Sequence, residues 1–345
     1  MNVDINENLD LDEYEDFLKN IKSGTFYHSK NYINFLRDTL ELNPNFITAR
    51  IDGKIVGVLP FFAKKSQNGI VVNSLPFFGS IGGVVSQNNC EKEILSCLND
   101  FNKENDVLSS VIITNPFVTN YNIYDKFFNY NIIEKRRIQC IKLQNKSSND
   151  LWINFEKRVR NAIRKCSKQN IQIKTSDLNK DLIDNFYKLH KEEMLKKGGK
   201  IKPLNFFSKI LSNFKNNVDY NIFEARQMDE NKSIAFILVF HYSKFSEYFM
   251  TAYDTDYKNS QSTSALIWES IKQSLDKNIQ YYNFGGTCYD QNELYLFKRG
   301  WDAEEFNYNY YIYGDLDRIK NIELDTLKTQ FENFYVYPYE KLNSS

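Results

Sequence analysis

The chain has 345 residues, more than one hydrophobic core ordinarily organises, so two domains are expected. Its 44 Lys and Arg balance its 44 Asp and Glu, which excludes a global positive field of the kind that draws in nucleic acid; 42% hydrophobic and 26% charged residues suit a soluble globular protein. No apolar run reaches membrane-spanning length, and the polar, acidic residues 1–12 do not read as a secretory leader. Cys90, Cys97, Cys140, Cys166 and Cys288 include no C-x-x-C pair, which argues for free thiols in a reducing cytoplasm and against a zinc site or a disulfide framework.

In chain order, helices are predicted over residues 10–21 and 31–40, the second with Ser29 as N-cap. Residues 46–63 predict a hairpin. Phe46-Ile47-Thr48-Ala49-Arg50-Ile51 leads into Asp52-Gly53, a turn pair that favours positive φ, and residues 54–62 return. Pro60 cannot donate to a ladder, so it predicts an edge or a bulge. A strand over 70–75 follows, then a helix over 91–102 with Ile94, Leu95, Leu98 and Phe101 on one face, then a short buried strand over 111–114.

The second half opens on a basic helix. Leu151, Phe155, Val159, Ile163 and Cys166 recur every three or four residues as an apolar stripe, and Lys157, Arg160, Arg164 and Lys168 recur on another face. Residues 156–174 hold seven Lys and Arg and one acid. The lack of paired acids argues against i,i+4 salt bridges. Arginine forks suit phosphate or carboxylate, although a plain solvated face gives the same pattern. Residues 220–226 and 233–242 predict two strands around a turn at 229–231, and 246–253 a third that ends at Tyr253. A polar loop, 254–262, then precedes a helix over 263–276, whose N-terminus favours anions. Residues 280–284 predict the next strand.

This order repeats that of the first half. Residues 46–62 and 223–242 each run Phe, then Ala-Arg, a turn and a long apolar return. The repetition predicts a degenerate duplication, each copy a meander followed by helix and strand, of mixed α/β (α+β) class. Domains are expected at 1–147 and 148–345, joined by the polar stretch 144–149.

The segment Tyr281-Tyr282-Asn283-Phe284-Gly285-Gly286-Thr287, followed by Leu294-Tyr295-Leu296-Phe297-Lys298-Arg299-Gly300-Trp301, carries the most chemistry. It reads as a short aromatic strand, a glycine break, a polar loop and a helical turn with one lysine. Glycines let backbone N–H groups approach a ligand, and Lys298 can bring positive charge over the same spot. Backbone donors plus a cation suit acyl transfer, where negative charge develops on a carbonyl oxygen; a strand-end turn beside a solvated lysine is the plainer alternative. Cys288 has no visible base, and His28, His190 and His241 are dispersed. Asp290 and Glu293 serve equally as orienters or as helix-start acids. Tyr308, Tyr310, Tyr311 and Tyr313 read as sheet packing.

Three ordered motifs resemble the Fem family, bacterial transferases that attach amino acids to peptidoglycan precursors and have acetyltransferase-like relatives in the GNAT superfamily. The first joins Phe26-Tyr27-His28-Ser29, Ile55-Val56-Gly57-Val58-Leu59-Pro60, Leu75-Pro76-Phe77-Phe78-Gly79 and Gly82-Gly83. The second is the run from Trp152 to Lys165, similar to the family's R-x-x-I-R-K helix. The third is the NFGGT…LYLFKRGW segment. The resemblance covers most of the chain. It implies two tandem GNAT-like domains, each a mostly antiparallel mixed sheet flanked by helices, with the active site in the second.

The activity so implied is N-acyl or aminoacyl transfer, in the cytoplasm, to an amine on a cell-envelope or surface-glycan precursor. Lys298 is the catalytic candidate. Arg158, Arg160, Arg164, Lys165, Tyr253, Gly285, Gly286, Thr287 and Phe297 are the substrate-binding candidates. Gln261, Ser262, Thr263 and Ser264 stand where GNAT enzymes carry Q/R-x-x-G-x-G/A around the pyrophosphate of coenzyme A. Their lack of glycines favours aminoacyl-tRNA over acyl-CoA as donor. No tightly bound cofactor and no metal are expected; the partner is a phosphate-bearing or nucleotide-linked substrate, with transfer RNA as a candidate donor. An acyl-CoA-dependent N-acetyltransferase and a non-catalytic binding protein on the same fold remain the alternatives.

Overall fold

A computed structural model describes residues 1–21, 23–77, 81–118, 122–199 and 201–341; Phe78 and Gly79 of the first motif lie outside them. The chain opens with β1 (Asn2–Asn6), α1 (Leu11–Lys19) and α2 (Lys30–Leu40). Asp10 caps α1 by accepting from the Asp12 N–H, and Ser29 caps α2 by accepting from the Tyr32 N–H. The predicted hairpin is β2 (Asn45–Ile51) and β3 (Lys54–Ser66), with φ of 50° at Asp52 and 78° at Gly53. Next come β4 (Gly69–Asn73), β5 (Val85–Ser86), α3 (Glu91–Glu104), β6 (Val107–Ile113), α4 (Asn122–Phe127) and β7 (Ile132–Lys142).

The predicted basic helix is two helices, α5 (Ser148–Asn154) and α6 (Lys157–Ser167). Phe155 and Glu156 leave the helical region, at ψ 141° and 150°. Three contacts enforce the break. The Phe155 ring is buried between Trp268 and Trp301. The Glu156 N–H donates to Gly300 O at 2.9 Å. The Arg160 guanidinium gathers the carbonyls of Trp152, Ile153 and Phe155 at the end of α5. The apolar stripe survives the break, because Leu151, Phe155, Val159 and Ile163 enter one core cluster.

There follow β8 (Ile171–Ser176), α7 (Lys180–Lys197), α8 (Asn205–Asn213), β9 (Tyr220–Gln227), β10 (Lys232–Tyr242), β11 (Phe245–Tyr253), α9 (Ser262–Asp276), β12 (Tyr281–Thr287), α10 (Asn292–Arg299), β13 (Glu304–Gly314), α11 (Leu316–Lys320) and α12 (Leu324–Gln330). Apart from β5, from α5 and α6 between the copies and from α11 and α12 at the end, the halves repeat one order: strand, two helices, three antiparallel strands, helix, a strand parallel to the last, helix, strand. β4 pairs with β6 as β11 pairs with β12, in parallel. Pro60 sits inside β3 rather than at a sheet edge. On one side it is paired with Phe46 of β2; on the other it falls in the gap between the residues paired with β5 (Gly57 and Val58) and those paired with β4 (62–66).

The chain divides into two compact units, residues 1–137 with 307–345, and residues 138–306. The sequence reading places one boundary at 147/148, whereas the division falls before Ile138 and again after Phe306. The reason is an exchange of final strands. In the first unit the strand order is β1-β2-β3-β4-β6-β13, and β13 of the second copy lies antiparallel to β6 over Tyr310–Gly314. In the second unit the order is β7-β12-β11-β10-β9-β8, headed by β7 of the first copy. The C-terminal segment also secures the first unit: Asn73 bonds the backbone of Tyr335 in both directions at 2.8 Å, and Arg318 pairs with Asp106 at 2.7 Å.

The second unit buries both faces of its sheet. One face carries Phe223, Ile237 and Val239 under Leu266, Ile267 and Ile271 of α9 and the stripe of α5 and α6. The other carries Phe236, Phe240 and Phe249 under α7 and α8, in ring contact with Phe186, Phe214 and Phe206. Each buried aliphatic or aromatic side chain contributes about 1.5–3 kcal/mol.

The exchange predicts that a fragment ending at residue 147 will not unfold cooperatively, because it lacks β13 and the segment that Asn73 and Asp106 hold. Circular dichroism should show a broad, non-cooperative melt, and co-expressed residues 148–345 should restore a sharp one.

Candidate active site

β11 and β12 are paired only over Phe245–Glu247 against Tyr281–Asn283. Beyond these residues the ladder stops, although β11 runs on to Tyr253 and β12 to Thr287. Leu238 faces Met250 while Val239 faces Tyr248, so Phe249 is an extra residue, a bulge that bends β11 where it leaves its neighbour. Parallel strands that stop pairing toward their carboxyl ends leave a crevice, the usual ligand position in open sheets. Both connections leaving this end carry candidates. β11 leads through Asp254, a 3₁₀ turn over Thr255–Ser260 and Gln261 into α9. β12 ends in Gly285-Gly286-Thr287 and leads to α10, which carries Lys298.

Lys298 is 4% exposed, not solvated. Its ammonium donates to Gly285 O at 2.9 Å, Gly286 O at 2.8 Å and Thr287 Oγ1 at 2.8 Å, using its three hydrogens. Successive carbonyls on a regular strand point to opposite sides. They converge here because Gly285 has φ +73°, a conformation that costs an L-residue about 1–2 kcal/mol. Sequence reasoning brings the lysine to the right glycines. The structure adds that Lys298 binds their carbonyls, while N–H groups were the feature expected to matter.

Behind this clamp lies a buried polar network that sequence reasoning missed. Asn283 Oδ1 accepts from the Gly285 N–H at 2.8 Å and from the Cys140 thiol at 3.4 Å, and Asn283 Nδ2 donates to Glu247 at 2.7 Å. The Thr287 hydroxyl donates to Gln139 Oε1 at 3.3 Å, and Gln139 Nε2 donates to Tyr295 O at 3.2 Å. Glu247 is 1% exposed. Burial pushes its carboxyl up to about 8 against the opposing effect of the Asn283 bond, so at neutral pH it is a neutral acid. Its Oε1 has no hydrogen-bond partner among the described residues. Burial, and then the nearby Glu247, hold the Cys140 thiol well above its ordinary value, which makes it inert. The available signal was a polar residue at a core position of an apolar strand, Glu247 in β11 and Asn283 in β12.

The basic candidates divide. Arg158 donates to Leu296 O at the end of α10 and to Glu156 at 2.8 Å, and it lies against Gly300. Arg160 caps α5 as described. Both guanidiniums therefore hold helix ends rather than standing free. Arg164, Lys165 and Lys168 are exposed and, with Asn161 and Gln169, line a cavity of about 450 Å³. The Arg164 guanidinium also lies over the Trp152 ring at 5.2 Å. Gln169 donates to Ser260 O at 3.0 Å, which ties this cavity to the loop before α9. In that loop Gln261 adopts φ 61° and supplies no side-chain cap. Ser262 and Ser264 are buried, and Gln261 and Thr263 are half-exposed.

Tyr253 and Phe297 are half-buried and pack against the core of the unit, Phe297 against Phe284 and Trp301. Cys288 is half-exposed and its N–H donates to Gln291. The three histidines are buried and neutral. Burial lowers His28 and His190 to about 4 and His241 to about 3, with Lys202 and Lys277 adding to the effect on the last two.

The FemAB family matches residues 120–226 and 221–309, more than half of the chain and all of the elements just described. The chain belongs to the FemAB family. Members are transferases, and this one is an enzyme of the acyl- or aminoacyl-transferring kind. Solved structures agree in fold. FemX is 14% identical, with 90% of this chain and 97% of that one covered at a TM-score of 0.68. L-PGS from Bacillus licheniformis is 12% identical, with 93% and 95% covered at 0.56. A tandem GNAT protein from the clavulanic acid biosynthesis pathway is 9% identical, with 90% and 98% covered at 0.54. No curated protein sequence matches. The FemAB match and the tandem GNAT likeness bear out the expected fold, two mixed α/β copies in one chain.

Glu247 yields a pH prediction. Its carboxyl is raised from 4.5 unfolded to about 8 folded, so between these values the folded state holds a proton that the unfolded state has released. Stability from this group is therefore complete below about pH 4.5 and lost as pH rises toward 8. Glu247→Gln keeps the acceptor for Asn283 and removes the titration. Its Tm should match wild type near pH 4.5 and exceed it by a few degrees at pH 8, as read by calorimetry across that range.

Proposed function

We propose that this FemAB protein is a cytoplasmic transferase that moves an aminoacyl group from aminoacyl-tRNA to an amine on a phosphate-bearing cell-envelope or surface-glycan precursor. The acceptor nitrogen attacks the ester carbonyl carbon, an amide bond forms, the ester C–O bond breaks, and the amine proton passes to the departing ribose oxygen. The observation that carries this reading is the convergence, at the unpaired ends of β11 and β12, of the Gly285–Thr287 edge, Lys298 and the start of α9. Lys298 would set the backbone edge against which the acyl group lies and contribute positive charge beside the developing oxyanion. Arg164 and Lys165 would meet donor or acceptor phosphates, joined by Lys168 across the same cavity. Among the described residues no helix is long and apolar enough to cross a membrane.

The donor assignment rests on residues 261–264. With Gln, Ser, Thr and Ser there, and two of the four side chains buried, few backbone amides are bare enough to wrap a pyrophosphate. A second reading, an acyl-CoA-dependent N-acetyltransferase with no tightly bound cofactor, draws support from the N-terminus of α9, which Gln261 leaves without a side-chain cap, and the likeness to a tandem GNAT protein. Calorimetry with coenzyme A separates the two: weak, unsaturable heats are expected, and tight saturable binding would establish the second reading. In the positive assay, tRNAs charged with labelled amino acids are mixed with a nucleotide-linked peptidoglycan precursor, and label should pass to the precursor.

Lys298→Ala should slow that transfer about 10²–10³-fold. Because it also strips two carbonyls of their donor, it should lower stability by about 1–3 kcal/mol, so rate and melting are measured together. Loss of stability with unchanged turnover would make Lys298 structural only. Arg164→Ala with Lys165→Ala should instead raise KM and flatten its dependence on salt, with kcat nearly unchanged.

A further inference from the structure

The layer of α7 and α8 has a chemistry that the transfer reaction does not use. From the start of α7, residues 180–215 contain nine lysines and four acids, Asp181, Asp184, Glu192 and Glu193; Glu193 is buried and the other three acids are exposed. The inner faces are accounted for, since Phe186 and Phe206 pack on Phe236 and Phe249 of one sheet face, and Phe186 also meets Phe207 of α8. Both helices therefore cover the same side of the sheet, and their outer faces form one surface of this unit. On α7 that surface carries Lys188, Lys191 and Leu195 at spacings of three and four, with the exposed acids Asp184 and Glu192 four residues to either side of Lys188. Leu204 at the start of α8 and Leu211 one heptad later continue it, with Lys215 just past the helix end. Leu195 is 63% exposed, and Leu204 and Leu211 are each 46% exposed. Three bare leucines among lysines leave apolar area in water that packing in this unit does not remove.

We infer that the α7–α8 layer docks onto an anionic lipid surface. Leucine side chains enter the headgroup–acyl boundary while lysine stems reach up to the phosphates, the pattern of an interfacial amphipathic helix. Charge complementarity favours an anionic leaflet, because lysines outnumber acids nine to four over the layer. A nucleic-acid surface would draw instead on arginine and on exposed aromatic rings, whereas here the cations are all lysine and the aromatic rings Phe186, Phe206 and Phe207 face inward, buried. This docking is independent of which group the enzyme transfers.

The full chain is sedimented with vesicles of phosphatidylcholine alone and of phosphatidylcholine mixed with phosphatidylglycerol. Binding is expected to the mixed vesicles at low salt, weaker at high salt, and slight to phosphatidylcholine alone. Each lysine near an anionic surface contributes about fivefold, so Lys188→Glu with Lys191→Glu should weaken binding at least about 25-fold. Leu195→Ser with Leu204→Ser and Leu211→Ser should weaken it more than tenfold with no loss of Tm, since all three side chains are exposed. Ile153→Ser, on α5 and 64% exposed, is the control and should bind as wild type. The inference is overturned if wild type does not sediment with mixed vesicles, or if the leucine variant binds as well as wild type. It is also overturned if bulk tRNA binds through these lysines while the vesicles do not, which would make the layer a nucleic-acid face.

Discussion

The candidate site at the end of β12 depends on one buried ammonium held by polar groups of the chain. Taking a lysine out of water is costly unless its hydrogens are satisfied, and two carbonyls and a hydroxyl satisfy those of Lys298. The buried acid of the adjoining network, Glu247, is held neutral by its own burial. The end of β12 thus places a charged group in a medium of low dielectric, where its field acts over longer distances than in water. The left-handed glycine, the Asn283 side chain and the Glu247 carboxyl are the conditions for that arrangement. Asn283 receives the Gly285 N–H on one side and offers its amide hydrogens to Glu247 on the other, which fixes the amide orientation that the glycine needs.

The basic stretch before β8 shows how little a count of charges says about their use. Its arginines are alike in sequence and unlike in place. Arg158 and Arg160 sit where α6 begins, beside the carbonyl ends of α10 and α5, and a helix C-terminus attracts cations. Arg164, Lys165 and Lys168 lie further along, where α6 faces the solvent and the loop before α9. One helix therefore supplies structural cations from its first turn and available ones from its last two.

Much of this was readable in the residues. Asp52-Gly53 announced its hairpin, because few other pairs accept two positive φ values in succession. The repeated order of elements announced the duplication, and the single lysine beyond the glycine pair announced their contact. What was not legible depends on contacts distant in sequence. The break at Phe155 interrupts an unbroken apolar period and is imposed by Trp268, Trp301 and Gly300, more than a hundred residues away. Glu247 looked like one polar residue in an aromatic strand, since burial on both sheet faces is a property of the assembled unit. The exchange of β7 and β13 leaves no local signature at all.

The same exchange bears on synthesis. Residues near the N-terminus leave the ribosome first, yet the first unit draws its last strand and its closing helices from the final forty residues of the chain. The second unit, by contrast, has all its strands once residue 287 has emerged, because β7 precedes it. The unit encoded later is thus able to complete its sheet first, while β6 of the earlier one waits with an open edge. Such an edge is a site of mispairing with other chains, and contacts of this sequence separation form slowly. The order in which the two units can gather their strands is the reverse of the order in which the copies are translated.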